Sequence, residues 1–482
     1  MKRFLRIISV YMCVFLLLTI VISYGYAEEH PLKGQSIKMS ILGIGGWLPS
    51  RLGVDMSPLF AKYAKDKYGY DVTFTFQEAP FSALFQKAAT SLATRSQEYN
   101  LIISDSQWLG AFAESDWIVN ISDLIKEEPE LDIEWYDPVV VNSYMVYPDG
   151  SDQLWGLPEE GDVIILYVRQ DIFSDPEEQK AFKEKNGWDL PQTFEDWEAV
   201  TMDKFMNITE FFTRPDKGLW GTAMQYQKEY DFMTMYLYPF MFSLGGDIWN
   251  PETREIYGVL NSDVNAKAME WNREMLKFMP PGALNYGISE EVDAFTQSKL
   301  ATAFMWAAVG ASMISPDLEG KVLCVPPPAF TRDDGTTSRI YSIGGQPWVI
   351  NAYNDDAHMR VSIDFLKWWY QLETQLEFAK RGGNPTDKAT MEMIGFEDIN
   401  PWNRAYKYML TTEHARDFWH EAKYSELLAV QQEGWTAYAV GQVNDAVNTL
   451  EWIACEQQKI LFEAGRSEVA PPDSCKKCRL DK

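Results

Sequence analysis

Apolar positions recur with two periods, and the switching between them predicts the elements of this chain. Ile37-Lys-Met-Ser-Ile-Leu42 reads as a strand that stops in the turn Gly43-Ile-Gly-Gly-Trp-Leu-Pro49. Ser57-Pro58 gives a helix cap with proline at the first position, leading into Leu59, Phe60 and Tyr63 on one face. Asp71 to Gln77 alternates Val and Phe with Thr as a second strand, and Phe81 to Leu92 is helical, with Leu84, Phe85, Ala88 and Leu92 together. Leu101-Ile-Ile103 is a third strand, ending in Ser104-Asp-Ser-Gln-Trp108. Strand, helix, strand, helix, strand is the rhythm of a parallel α/β sheet. In such sheets ligands sit beyond the carboxyl ends of the strands, so the loops bearing Trp47, Glu78, Asp105 and Trp108 should face one crevice.

The longest stretch of strand character runs from Leu154 to Arg169. Val163-Ile-Ile-Leu-Tyr-Val168 is an unbroken apolar run, suited to a strand covered on both faces. Glu159, Glu160, Gly161 and Asp162 precede it, and their charge predicts an acidic turn at the mouth of a cleft where the chain crosses between two lobes. Further on, Thr193-Phe-Glu-Asp196 is a capping box opening a helix, Gly221 to Tyr226 a strand, and Asp231 to Leu244 an apolar helix broken by Pro239. Asn265 to Phe278 is an amphipathic helix. Lys299 to Trp306 is a strand ending in tryptophan, and Val322 to Val325 is another strand. Trp348-Val-Ile-Asn351, entered from Gly344-Gly-Gln-Pro347, reads as a second crossing. Neither lobe is then contiguous: residues 28–158 plus 349–422 form the first, 159–348 plus 423–465 the second, and 466–482 a tail.

The amino terminus bears on compartment. Lys2, Arg3 and Arg6 precede an apolar run from Ile7 to Ile22, and Gly25-Tyr-Ala27 offers small residues for cleavage, so residues 1–27 are predicted to be a secretory signal and the mature protein periplasmic. Cleavage removes three basic and no acidic residues, leaving 43 − 3 = 40 Lys plus Arg against 70 Asp plus Glu, a net charge of −30. Such a surface repels nucleic acid and anionic membrane. The remaining 482 − 27 = 455 residues exceed what one core supports and imply two or three domains. Cysteine is sparse: Cys324 stands alone, and the Cys475-Lys-Lys-Cys478 tail is expected to form a structural disulfide, local or to Cys455.

The order of Tyr99-Asn-Leu-Ile-Ile-Ser-Asp-Ser-Gln-Trp108, Trp155-Gly-Leu-Pro158, Thr193-Phe-Glu-Asp-Trp197, Gly245-Gly-Asp247, Pro280-Pro-Gly-Ala283, Ser298-Lys-Leu-Ala-Thr-Ala-Phe-Met-Trp306 and Gly382-Gly-Asn-Pro385 resembles the family 1 extracellular solute-binding proteins of ABC sugar importers, the maltose-binding-protein-like group. The likeness runs from Ile37 to Phe462. It implies a two-lobed periplasmic-binding-protein fold of type II, each lobe a central sheet flanked by helices and joined to the other by hinge strands. It also implies closure on a sugar or polyol and delivery to a membrane permease with a cytoplasmic ATPase. Carried over position by position, the glycine-rich loop corresponds to Gly45-Gly46-Trp47 and the loop after the third strand to Asp105 and Trp108. The hinge carboxylate corresponds to Asp162, the second-lobe aromatic to Trp306 and the helix-borne tryptophan to Trp435.

A sugar offers an apolar face and a rim of hydroxyls, so indoles and carboxylates are the groups its site needs. A buried carboxylate left unpaired by a mismatched ligand costs about 1–3 kcal/mol, which is a source of selectivity. The candidate ligand contacts are Trp47, Glu78, Asp105, Trp108, Asp162, Trp306, Trp348 and Trp435. No catalytic residue, metal or cofactor is expected: the four His, at 30, 358, 414 and 420, do not share a helix face. Arg51 is the one basic residue of the strand-end loops, which argues for a neutral carbohydrate or polyol over a phosphorylated one. The partners expected are that ligand and the permease subunits, with the chain a monomer. The competing readings are an exported glycoside hydrolase, since carboxylates among tryptophans also describe such a site, and the same fold holding a non-sugar solute.

Overall fold

The computed structural model describes residues 29–480. The predicted signal segment therefore lies outside the described residues. Ten strands follow in chain order: β1 (Ser36–Ile44), β2 (Asp71–Ala79), β3 (Leu101–Ile103), β4 (Leu157–Arg169), β5 (Thr302–Trp306), β6 (Val322–Val325), β7 (Phe330–Thr331), β8 (Thr337–Ser338), β9 (Tyr341–Ile350) and β10 (Ala415–Arg416). β1 pairs in parallel with β2 from Ser36↔Asp71 to Ile44↔Ala79, and in parallel with β3 at Ile41↔Leu101. The order β2-β1-β3-β9-β4-β5 runs on through antiparallel neighbours, with β6 on β4 and β10 on β9.

Two strands serve both halves of this sheet. The beginning of β4, Leu157 to Val163, pairs with β9, while Ile164 to Arg169 pairs with β5 and β6. β9 in turn gives Trp348 to Ile350 to β3 and Tyr341 and Ser342 to β10. Helices cover the halves separately. Asp356–Trp369 lies on Ser57–Tyr68 and β1, whereas Tyr424–Ala439 and Ala446–Glu463 pack together and against Thr234–Leu244 and Asp263–Met275. The result is two α/β lobes joined through β4 and β9.

All thirteen residues of β4 are buried, as its continuous apolar run predicts, but the acidic stretch differs from expectation. Glu159, Glu160 and Asp162 are inside the strand and at most 1% exposed, where a turn at the cleft mouth was predicted. Polarity alone could not reveal that both lobes and the segment around Tyr406 close over this point. Gly161 faces Gly345 across the ladder, and a Cβ on Gly161 would meet the Tyr406 hydroxyl and Thr386.

Pro239 does not break its helix. Thr234–Leu244 continues through it with every residue buried. Proline has no N–H for the carbonyl four residues back, that of Met235, and the Ser342 hydroxyl of β9 donates to this carbonyl instead at 2.8 Å. Gly221 to Tyr226 is extended without forming a regular strand. It accepts single hydrogen bonds from β5, including Thr302 N–H to Gly221 O at 3.1 Å. In the tail Cys455 and Cys475 form the disulfide, Cys478 stays free and Cys324 is buried in β6.

Candidate functional site

A cavity of about 400 Å³ lies between the lobes, against the strands they share. From the first lobe it is bordered by the Ile44-to-Trp47 loop after β1, by Phe81, and by Asp105 and Gln107 beyond β3. From the second come Tyr230, Asp231, Ile288 to Glu290 and Trp306, and the floor includes Asp162 and Gly344 to Gln346. The loops beyond β1 and β3 do meet at one crevice, as the rule for open α/β sheets requires.

Local sequence fixes each wall group. β3 ends at Ile103, and Asp105 caps the short helical turn Ser106–Trp108 by accepting Gln107 N–H at 3.2 Å. Its other oxygen receives the Tyr230 hydroxyl at 2.7 Å, a hydrogen bond from the second lobe to the first. Tyr230 has φ of +47°, a left-handed conformation costly for a side chain with Cβ. It is held there by Gln432, which donates to its carbonyl, and by the Phe81 ring edge-on at 4.5 Å. Burial pushes the Asp105 carboxyl up to about 7 against the opposing hydrogen bonds from Tyr230 and Gln107.

Asp162 accepts Val163 N–H at 2.9 Å and Ala308 N–H at 3.0 Å on one oxygen. Ala308 belongs to the short turn Ala307–Val309 that follows Trp306, so the end of β5 fixes the acid and the indole together. Burial holds the Asp162 carboxyl well above the usual range, with the Ala308 and Val163 N–H groups opposing. A Cβ on Gly344 would lie 2.8 Å from the Trp306 ring, so glycine is what lets the indole rest on the hinge strand. Trp47 donates its indole N–H to Glu160 at 2.8 Å and to Gln346 at 3.1 Å, which ties the glycine-rich loop to the hinge.

Trp47, Asp105, Asp162 and Trp306 are thus brought together on the cavity wall. The other four candidates are not, and their places correct the expectation. Glu78 is exposed at the end of β2, with Arg51 at 3.7 Å. Trp108 is wholly buried behind the wall among Phe81, Phe85 and Phe112. Trp348, on β9 beside β3, is wedged edge-on between Phe365 and Trp369, and Trp435 packs on Tyr226 and Tyr438. Sequence reasoning missed Phe81, Tyr230, Asp231 and Gln346. The first pair in the second lobe follows the extended Gly221 to Tyr226 segment, so the strand-end rule applied to that lobe would have reached it.

Residues 52–375, more than half of the chain, match the model of the bacterial extracellular solute-binding proteins. The chain belongs to that family. Solved structures similar to this solute-binding protein share its fold at low identity. One is an ABC transporter solute-binding protein from Agrobacterium radiobacter in complex with ribitol, with TM-score 0.69, 19% identity, and coverage of 89% of this chain and 100% of that one. A maltose-bound protein of T. maritima gives the same TM-score, identity and coverage. A third, from Agrobacterium vitis with bound D-mannitol, has TM-score 0.67 and 15% identity, covering 90% of this chain and 99% of its own. The two-lobed architecture of this solute-binding protein is therefore shared with proteins solved in complex with ribitol, maltose and D-mannitol.

Proposed function

We propose that this chain captures a carbohydrate or polyol between its lobes, outside the cytoplasm, and hands it to the permease of an ABC importer. The observation that carries this reading is the pairing of the indoles of Trp47 and Trp306 with the buried carboxyls of Asp105 and Asp162 around one cavity. The indoles would take the C–H face of a sugar and the carboxyls its hydroxyls. Tyr230 and Asp231 join them as contacts from the second lobe. The lobes are 28–158 plus 349–422 and 159–348 plus 423–465, exported by the signal at 1–27 and acting as a monomer in the periplasm.

The mechanism is ligand-gated closure without a chemical step. The Tyr230 to Asp105 hydrogen bond spans the lobes, so a ligand that bridges them adds to contacts already available to the closed form. Hydrolysis would need an acid and a base held at fixed separation, and Asp105 and Asp162 stand on parts that closure moves. A thermal-shift screen of the mature protein against sugars and polyols tests the reading, since a ligand of the folded state raises Tm by mass action. At least one member should raise it with a calorimetric stoichiometry of one. Reducing sugar released from a panel of glycosides would overturn it in favour of the hydrolase.

A further inference from the structure

The cavity between the lobes is unbalanced in charge. Its wall carries Asp105, Asp162, Glu229, Asp231 and Glu290, and no Lys, Arg or His. Glu229 and Glu290 stand at the exposed rim, while Asp105, Asp162 and Asp231 are at most 7% exposed. Asp231 is the least provided for. It borders the cavity, and its carboxylate receives no hydrogen bond from any other residue among those described. Glu421, a buried acid elsewhere in the molecule, has cations of its own, 3.2 Å from Arg254 and 2.7 Å from Arg466, while Glu159, buried in β4 away from the cavity, has none. A carboxylate in low-dielectric surroundings is stabilised by a cation beside it, and here the protein supplies hydrogen bonds to Asp105 and Asp162 but no cation.

The missing partner is organic. Among the described residues no three His, Cys, Asp or Glu side chains converge closely enough to hold a metal ion, so the acids are spread around the space. The same space is bordered by the aromatic rings of Trp47, Phe81, Tyr230, Phe232 and Trp306, which suit both the C–H face of a pyranose and an alkylammonium. The scarcity of basic residues in the strand-end loops disfavours an anionic ligand and leaves a cationic one open. Resting on the carbohydrate reading above, we propose that the cleft selects ligands bearing a protonated amine among their hydroxyls, an amino sugar or amino polyol.

Calorimetry on the mature protein tests this with D-glucosamine, D-galactosamine, 1-amino-1-deoxy-D-glucitol and the β-1,4-linked glucosamine dimer. Each is set against its N-acetylated or hydroxyl counterpart. At least one aminated member should bind tenfold or more tighter than its neutral counterpart, with the gap narrowing as NaCl is raised. Asp231→Asn, confirmed folded by its melting curve, should close most of that gap by weakening the aminated compound more than its neutral counterpart. Neutral sugars or polyols binding as tightly as the amines would overturn the charge preference and leave the carbohydrate reading standing. Binding of spermidine with no response to any sugar or polyol would overturn both, as would silence across the whole panel.

Discussion

Two clefts of nearly equal volume, about 400 and 410 Å³, open on this chain, and they differ in how their acids are treated. The second lies near the segment 412–420 and is lined by Asp149, Asp417, Arg416 and His420 with Ile248 and Trp249. There His420 is clasped between Asp149 at 2.9 Å and Asp417 at 3.2 Å, and Arg416 reaches Asp247 at 2.8 Å. Asp417 also accepts from Ser106 at 2.9 Å and Gln107 at 2.8 Å, neighbours of Asp105. So two acids close together in the fold differ in what faces them: Asp417 has the His420 imidazole as a partner, whereas Asp105, held by the Gln107 N–H and the Tyr230 hydroxyl, has no cation and borders the cavity. A cavity whose charges are already matched holds the structure together. The cavity whose acids have no cation is the one proposed above to take its partner from outside.

The comparison breaks most visibly at His420. Burial pushes this imidazole down, but the hydrogen bonds and charges of Asp149 and Asp417 outweigh it and hold its pKa at about 10, against 6.5 in the unfolded chain. A group raised on folding contributes stability that is complete below pH 6.5 and lost as pH rises through 10. His420→Gln should therefore destabilise the protein at pH 6 by on the order of 3 kcal/mol, the cost of opening a buried pair, with the deficit shrinking toward pH 10. Urea melts at the two pH values check this. A constant deficit would mean that packing, not charge, is what His420 provides.

On the other cavity the expected effects are smaller and fall on binding. Trp306→Ala should weaken the cognate ligand about tenfold, or about 1.4 kcal/mol, without unfolding the protein. Titration calorimetry reads it, and an unchanged Kd would remove the indole from the site. Asp105→Asn should act in the reverse sense on stability. Asp105 is raised by burial to about 7 from 3.8, so its contribution is complete below pH 3.8 and lost as pH rises through 7. Replacing it should stabilise the empty protein at pH 8 by about 1 kcal/mol, the usual sign of a residue kept for function.

How much of this was legible in the sequence depended on what each signal measures. Periodicity reports a local pattern of burial, so β1, β3 and β6 and the core half of β4 could be read from it. It could not report tertiary compensation. Pro239 is tolerated because Ser342, more than a hundred residues away, takes over the freed carbonyl, and the acids at 159–162 are tolerated because two lobes cover them. The disulfide was narrowed to a bridge within the tail or one from the tail to Cys455 but not decided, since spacing alone does not separate Cys475 from Cys478. With 18 Trp in the chain, an indole near a strand end is as good a core filler as a ligand platform, and type alone does not separate the two.

The smallest expected effect on binding sharpens that last distinction. Trp108, Trp348 and Trp435 are no more than 1% exposed, and their indole nitrogens have no hydrogen-bond partner. A ring in that position contributes packing area and nothing to a ligand. Trp435→Phe should therefore cost stability through the volume it removes, about 1–3 kcal/mol, because the ring packs at a tilt of 40° against both Tyr226 and Tyr438. It should leave the dissociation constant within twofold of the parent, because no atom of Trp435 borders the cavity. Fluorescence-monitored melts and calorimetry on the same preparation separate the two quantities. A loss of affinity comparable to that of Trp306→Ala would mean that the cleft extends deeper into the second lobe than its wall of Tyr230, Asp231 and Trp306, and that the line drawn here between lining and core is misplaced.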